Sequence, residues 1–223
     1  LQELAATRKA DGELRYLILA GTGALGNYEL LERKTDQGLK HLQEAAAGMD
    51  QLVAETPHNA VYMRQQMLTW SHLADVLEET DDKNGTERAT EHFVGIARKL
   101  YEADKADARA SSDLGIALNR LAHRVPHSQN ARRQALLRET IQFLQQAIQR
   151  NPKSALSKVY LANSQIFLAD AVQSSGDRQS AKRLWQQSML VAEPLLESGQ
   201  GVVMELYALA CRKLSVVAIE EGD

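Results

Sequence analysis

The sequence predicts an all-α fold, a solenoid of about four and a half helical hairpins, and three observations support this class. Hydrophobic residues make up 44% of the 223 residues, but aromatic residues make up only 5%. Proline occurs only four times. This composition favours helices rich in Ala and Leu over strands, which are enriched in aromatic and β-branched residues. The third observation is an internal repeat, because self-similarity at a fixed period indicates a repeat architecture.

A large apolar residue followed by a small one marks the first helix of each repeat. Successive pairs are separated by 48, 48, 47 and 46 residues. A small residue lets a neighbouring backbone approach closely, so we expect these pairs to be buried where helices meet. The five pairs are Leu25-Gly26, Leu73-Ala74, Leu121-Ala122, Leu168-Ala169 and Leu214-Ser215.

A second pattern lies between these pairs and marks the second helix of each hairpin. It consists of a neutral residue, a bulky apolar residue four positions later, and an apolar or small residue three positions after that. This spacing places the three residues on one helical face. The four triplets are Gly38/Leu42/Ala45, Ala89/Phe93/Ile96, Thr140/Leu144/Ala147 and Ala181/Trp185/Ser188.

Residues that break helices separate the two helices of each hairpin. These turns lie at 34–36, 81–85, 125–128 and 174–177. The pattern predicts nine helices, at roughly 12–32, 36–54, 59–79, 86–103, 107–124, 129–150, 153–174, 178–197 and 201–220. We expect one domain over residues 1–223, with repeats at about 12–58, 59–106, 107–152 and 153–200 and a final helix at 201–220.

The Leu-small pair, the triplet and a following proline together resemble the tetratricopeptide-repeat (TPR) family. The fourth unit matches best, through Leu168-Ala169 and the triplet at Ala181, Trp185 and Ser188, and the third adds Pro152 after its triplet. The resemblance covers nearly the whole chain, with each unit matching in part. It implies a right-handed superhelical α-solenoid that binds a partner peptide or helix in a concave groove lined by the first helices.

The repeat length departs from that family. A tetratricopeptide unit has 34 residues, whereas the steps here are 46 to 48, so we expect longer helices. Repeats of the HEAT type, at ~40–47 residues, are a structural alternative. The long Leu-small pairs and Gly-Asp turns also resemble the repeat regions that follow the kinase domain in some bacterial serine/threonine kinases. That resemblance implies the docking or sensor region of a larger signalling protein.

Composition argues against several other functions. The 26 basic and 29 acidic residues are mixed along the chain, so we expect no nucleic-acid partner. Cys211 is the only cysteine, which excludes an intramolecular disulfide and a CxxC zinc site. The longest uncharged apolar-rich stretch, 16–28, is shorter than the ~20 residues of a membrane span. Because the chain begins at Leu1 without signal-peptide features, we expect it to be part of a longer protein, and its compartment stays open.

One motif suggests an enzyme. The run Gly21-Thr22-Gly23-Ala24-Leu25-Gly26 fits GxGxxG and follows a strand-like segment at 16–20, as in a dinucleotide-binding fold. No later segment offers the further parallel strands that this fold needs, and Leu25-Gly26 belongs to the repeat pattern. We therefore expect these glycines to line a helix, with no catalytic residue, cofactor or metal. Trp185 and Cys211 are expected to be buried.

A protein partner is the remaining expectation. Positions that flank the Leu-small pairs on the first helices are expected to face the groove. The predicted partner-binding residues are Ser71, Asp75, Asn119, His123, Asn163, Asp170, Gln173 and Arg212, with Asn27, Glu78, Ile166 at related positions. This set contains few basic residues, so we expect a polar, neutral or mildly basic partner segment rather than an acidic tail.

A self-assembling helical module is the alternative, because the sequence ends in an apolar half-repeat, 202–219. Homo-oligomers would then form through the repeat ends.

Overall fold

The computed structural model describes residues 12–221, and residues 1–11 and 222–223 lie outside this part. Within residues 12–221 the chain forms nine α-helices and no strand, which confirms the all-α class. The helices are α1 (Gly12–Leu31), α2 (Thr35–Glu55), α3 (Ala60–Glu79), α4 (Lys83–Ala103), α5 (Ala108–Arg124), α6 (Asn130–Arg150), α7 (Ala155–Gln173), α8 (Arg178–Ala192) and α9 (Gly201–Glu221). Two short 3₁₀ helices, His127–Gln129 and Glu193–Ser198, precede α6 and follow α8.

The predicted helix ends agree with the observed ones apart from two differences. Helix α4 begins at Lys83 rather than at the predicted 86, because Asp82 caps it by accepting the Gly85 backbone N–H at 2.9 Å. Helix α8 ends at Ala192 rather than at 197, and the chain continues as a 3₁₀ helix. Pro194 explains this end, because proline has no backbone N–H and its ring clashes with the preceding helical turn.

The chain divides into two compact units, Leu1–Ala103 and Asp104–Asp223. In unit 1, α1 packs on α2, α2 on α3 and α3 on α4. In unit 2, each of the helices α5 to α8 packs on the next one along the chain. Within each unit, the short turns make consecutive helices antiparallel, as the predicted hairpins require. The single repeat domain over residues 1–223 stays a prediction.

The second-helix triplets form the core of both units. All twelve triplet residues are buried. The bulky members Leu42, Phe93, Leu144 and Trp185 are among the largest fully buried side chains of the chain. Trp185 has no exposed surface at all, which confirms its predicted place in the core.

The first-helix pairs follow the prediction only in part. The small residues Gly26, Ala74, Ala122 and Ala169 are buried. Leu25, however, is 45% exposed, and Ser215 is also exposed. These two positions lie on the first and the last described helix, where no other described helix covers their outer side.

The GxGxxG run lies inside α1, so the strand-like segment before it is helical. A Cβ atom on Gly26 would lie 2.9 Å from the Gly38 carbonyl oxygen, and one on Gly38 would lie 2.8 Å from the Gly26 carbonyl oxygen. A Cβ on Gly21 would meet nothing within 4 Å. The motif therefore contains one glycine that a close helix crossing requires, and its helical conformation is not that of a phosphate-binding turn.

Candidate partner-binding face

Polar side chains connect successive first helices within unit 2. Asn119 on α5 is 3% exposed, and its Nδ2 donates to Ser164 Oγ on α7 at 2.8 Å. Its Nδ2 also lies 3.3 Å from Asn163 Oδ1. About two helical turns away, the hydroxyls of Ser112 and Ser157 are 2.9 Å apart. These buried groups are satisfied by each other, so they stabilise the α5–α7 contact.

An aromatic and cationic cluster lies beside these bonds. The His123 ring meets Phe167 edge-on, with 3.9 Å between centroids, and His123 Nε2 is 3.3 Å from Asn163 Oδ1. The Arg133 guanidinium lies 5.7 Å from the Phe167 centroid, within the range of a cation–π contact. Arg133 Nη1 is 3.0 Å from His127 Nδ1. Because a guanidinium can only donate, that imidazole nitrogen accepts the bond.

Helices α7 and α9 are joined by an ion pair. Lys213 Nζ lies 2.9 Å from Asp170 Oδ1, and both side chains are about one third exposed. The same ammonium group lies 5.9 Å from the Trp185 ring centroid. Lys213 thus contacts both α7 and α8 from α9. We call a set of seven exposed or half-buried side chains on α5, α7 and α9 the first-helix face. It consists of His123, Asn163, Phe167, Asp170, Gln173, Arg212 and Lys213.

The structure places the predicted partner-binding residues in different environments. Ser71 and Asn119 were predicted to face a partner, but they are only 8% and 3% exposed, so their side chains are buried instead. The related position Ile166 is also buried, because it faces the core of unit 2. Asp75 is half-buried on α3 in unit 1.

Of the other five, some already have partners inside unit 2. Asn163 accepts from Asn119 and His123, and Asp170 pairs with Lys213. Gln173 is half-buried and Arg212 is exposed, and neither side chain has a hydrogen bond or ion pair within residues 12–221. Gln173 and Arg212 are therefore the predicted residues whose polar groups are available.

Sequence reasoning missed Phe167, Arg133 and Lys213. A signal for the bonds between first helices was present, because polar residues recur near the repeat step. Asn119 and Ser164 are 45 residues apart, as are Ser112 and Ser157. In unit 1, Asn27 and His72 are also 45 residues apart in sequence, and Asn27 Nδ2 lies 2.9 Å from His72 Nδ1.

Unit 1 contains a separate polar cluster around one carboxylate. Asp50 Oδ1 on α2 accepts from Gln66 Nε2 at 2.7 Å and from Trp70 Nε1 at 2.8 Å, both on α3. His92 Nε2 on α4 lies 3.3 Å away, and its ring packs on Trp70 with 4.3 Å between centroids. Burial alone would raise the pKa of Asp50, but the hydrogen bonds from His92, Gln66 and Trp70 outweigh it and lower the pKa below 3.8. The cluster holds three helices together.

Within the described residues, no group of three or more His, Cys, Asp or Glu side chains is arranged to hold a metal ion. Cys211 is half-buried, and its thiol lies 3.8 Å from the Met189 sulfur. Among the described helices, none combines the length and the apolar character that a membrane crossing requires.

Comparisons with known proteins give structural likenesses only. No protein-family profile and no curated protein sequence matches the chain. A crystal structure of MamA protein covers 93% of this chain and 92% of its own, at 14% identity and a TM-score of 0.41. A second MamA crystal structure covers 86% and 96%, at 16% identity and a TM-score of 0.35. A de novo designed helical repeat protein covers 94% and 97%, at 15% identity and a TM-score of 0.30.

At these TM-scores the likeness carries no argument about function, and the repeat fold rests on the helices described above. The chain is an all-α protein of helical hairpins that resemble tetratricopeptide repeats. The resemblance to kinase-associated repeat regions stays a prediction.

Proposed function

We propose that this chain is a non-catalytic protein-interaction scaffold that binds a partner peptide or helix on the first-helix face. The observation that carries the proposal is the mixed chemistry of this face. It offers an aromatic ring and an imidazole at Phe167 and His123, and available polar groups at Gln173 and Arg212. Such a combination suits an extended segment with polar and apolar side chains.

The electrostatics of the face favour a partner without strong charge. Asp170 and Lys213 already neutralise each other, so Arg212 is the one cation without an ion pair among the face residues described above. A single guanidinium selects weakly between acidic and neutral segments, unlike a cluster of cations. We therefore keep the expectation of a polar, neutral or mildly basic partner segment for this face.

The enzyme alternative loses its supporting motif. The GxGxxG run is helical, and its Gly26 is explained by the contact with Gly38. A place in a larger signalling protein is part of the proposal, and it is supported by the sequence resemblance alone.

The test compares two triple variants. His123→Ala, Gln173→Ala and Arg212→Ala remove polar groups of the face without opening the buried core. The matched control changes three exposed residues of α6, Arg132→Ala, Gln142→Ala and Gln149→Ala. Both variants should keep the wild-type circular dichroism spectrum, because substitutions of surface residues outside the core usually change stability by no more than about 0.5 kcal/mol each.

The readout is quantitative mass spectrometry of proteins captured from extracts of cells that naturally contain this protein. A partner held by the wild type and the control but lost by the face variant supports the proposal. If every captured protein is retained by all three, the first-helix face is not the binding surface.

Self-association is a second candidate, favoured by one observation. Helix α9 exposes Val202, Met204, Val216 and Ile219 at 48%, 50%, 49% and 76% of their surfaces. Exposed apolar side chains in this number on one helix are typical of a surface that meets another protein. Light scattering over a concentration series tests this candidate, and Val216→Asp with Ile219→Asp should return any oligomer to the monomer. A monomer at all concentrations would exclude it.

A further inference from the structure

A groove lies on unit 2 between α6, α7 and α8. Its cavity volume is about 270 Å³, smaller than the roughly 300–1,000 Å³ of small-molecule pockets, so it suits one or two side chains of a partner. Leu168 and Val172 at its base are only 4% and 5% exposed and belong to the core of unit 2, so the half-buried Leu184 is its more accessible apolar side chain. The groove is lined by Arg138, Leu168, Val172, Asp177, Arg183 and Leu184, among others.

The two arginines of the groove have only neutral hydrogen-bond partners. Arg138 Nη2 donates to Gln134 Oε1 at 2.9 Å, and Arg183 Nη2 donates to Ser180 Oγ at 2.8 Å. Both arginines are exposed, so a ligand can reach them. A guanidinium has five N–H groups, and each arginine therefore keeps donors for a carboxylate.

One acidic residue stands at the edge of the groove. Hydrogen bonds from the Ser180 side chain and backbone N–H lower the pKa of Asp177, and the charge of Arg183 adds to this effect. Asp177 caps α8, because its carboxylate accepts the Ser180 backbone N–H at 2.9 Å. With two guanidinium groups and one carboxylate, the lining carries a net positive charge.

The surrounding sequence is much more basic than the chain as a whole. Residues 108–183 contain twelve Lys and Arg but four Asp and Glu, a net charge of +8, whereas the whole chain has −3. Such an excess raises the local concentration of anionic partners and speeds their association.

We propose that this groove binds a partner segment in which one apolar side chain is flanked by carboxylates. The apolar side chain contacts Leu184, and the carboxylates accept hydrogen bonds from Arg138 and Arg183. This inference goes beyond the proposed function, because the groove lies on α6, α7 and α8 rather than on the first-helix face. It also differs from the expectation drawn from the first helices, which disfavoured an acidic ligand there.

The lining of the groove distinguishes this ligand from nucleic acid. A nucleic-acid surface is typically a stripe of cations with aromatic rings for base stacking. This groove instead has two arginines, an acidic edge and aliphatic side chains. A protein segment with both acidic and apolar residues complements all three features.

The probe is a fluorescein-labelled synthetic peptide of repeated Glu-Leu-Glu triplets, measured by fluorescence anisotropy with the full chain. We expect binding that weakens as salt increases, because salt screens exposed charges. A Glu-Ser-Glu peptide should bind more weakly, since its serine side chain is too short to pack on Leu184. A Lys-Leu-Lys peptide should not bind at this groove.

Matched variants assign the binding to the groove. The double variant Arg138→Gln and Arg183→Gln should weaken Glu-Leu-Glu binding by at least about tenfold. Arg132→Gln is the control, because Arg132 is an exposed arginine on the same helix that donates to Gln129 and does not line the groove. It should change the affinity by less than about twofold. The triple variant of the first-helix face should bind the peptide like the wild type, which separates this inference from the proposed function.

Several results would overturn the inference. The first is no binding of the peptide to the wild type, or undiminished binding to the double variant. The second is an equal loss in Arg132→Gln, which would show unspecific attraction by the basic segment. The third is tighter binding of a labelled single-stranded oligonucleotide that the double variant loses, because the groove would then belong to a nucleic-acid surface.

Discussion

Asp50→Asn tests the polar cluster that joins three helices of unit 1. A hydrogen bond to a charged group contributes about 1.5–3 kcal/mol, and a neutral one about 0.5–1.5 kcal/mol. Removing the charge therefore costs about 1 kcal/mol for each of the two short bonds, from Gln66 and Trp70. The His92 contact also lowers the pKa of Asp50, but it spans 3.3 Å and the His92 side chain is 43% exposed, so screening by water reduces its contribution to stability. Because the Asp50 side chain is itself 34% exposed to water, we expect a total loss of about 1–2 kcal/mol in the free energy of unfolding.

The same cluster predicts a pH dependence. The pKa of Asp50 is lowered in the folded state, so its carboxylate contributes stability above its ordinary pKa of 3.8. This contribution is lost as the pH falls through the lower, folded pKa. The difference between the wild type and Asp50→Asn should therefore be complete at neutral pH and should shrink below about pH 4.

Guanidinium unfolding measures both effects. The chain has two tryptophans, and Trp70 itself donates to Asp50, so its fluorescence reports on the cluster. Circular dichroism should follow the same transition in parallel. Glu44→Gln is the matched control on the same helix, because Glu44 is 53% exposed and its ion pair with Lys40 spans 3.9 Å. It should cost less than about 0.5 kcal/mol. Equal stability of Asp50→Asn and the wild type at neutral pH, or a gap that does not change with acid, would refute this reasoning.

Two further substitutions have controls within the chain. Gly26→Ala should lower the free energy of unfolding by about 1–2 kcal/mol, because its Cβ would press on Gly38, whereas Gly21→Ala should raise it by about 0.5–1 kcal/mol through helix propensity. Thermal unfolding of both variants checks these opposite signs, and a loss of stability in Gly21→Ala would contradict the helical account of the motif. Trp185→Ala should cost about 3–5 kcal/mol because Trp185 is fully buried, while Leu190→Ala, at a side chain 68% exposed, should stay within about 0.5 kcal/mol in denaturant unfolding. Equal losses in these two variants would show that Trp185 does not anchor the core.

The sequence predicted the parts of the fold that depend on local spacing. The triplet at Ala181, Trp185 and Ser188 is buried because its three positions share one helical face, and that relation is visible in a single helix. Turn residues likewise act locally, so most predicted helix bounds agree with the observed ones. The early end of α8 also has a local cause, Pro194. The prediction missed it because the chain continues directly into a 3₁₀ helix, whose first turn tolerates proline.

The candidate site was predicted less well because it depends on contacts between repeats. Asn119 was expected to face a partner, yet its amide pairs with Ser164 on the neighbouring first helix. A polar residue on a first helix can bond to a partner or to the next repeat, and one sequence does not separate these cases. The charge excess of residues 108–183 was hidden for another reason, because the net charge of the whole chain averages it with the acidic residues elsewhere.

Unit 2 therefore presents two surfaces whose chemistry differs for a structural reason. On the first-helix face, polar groups such as Asn163 and Asp170 are consumed by bonds between repeats, and the charge of Asp170 is cancelled by Lys213. In the groove of α6, α7 and α8, Arg138 bonds instead to Gln134 of its own helix, so its guanidinium charge is not cancelled. The balance between these two kinds of bond decides which surface attracts an anionic partner. Under our two proposals, a partner of the first-helix face is selected mainly by shape and neutral hydrogen bonds, whereas a partner of the groove is selected by charge. Raising the salt concentration should therefore weaken binding at the groove more than binding at the first-helix face.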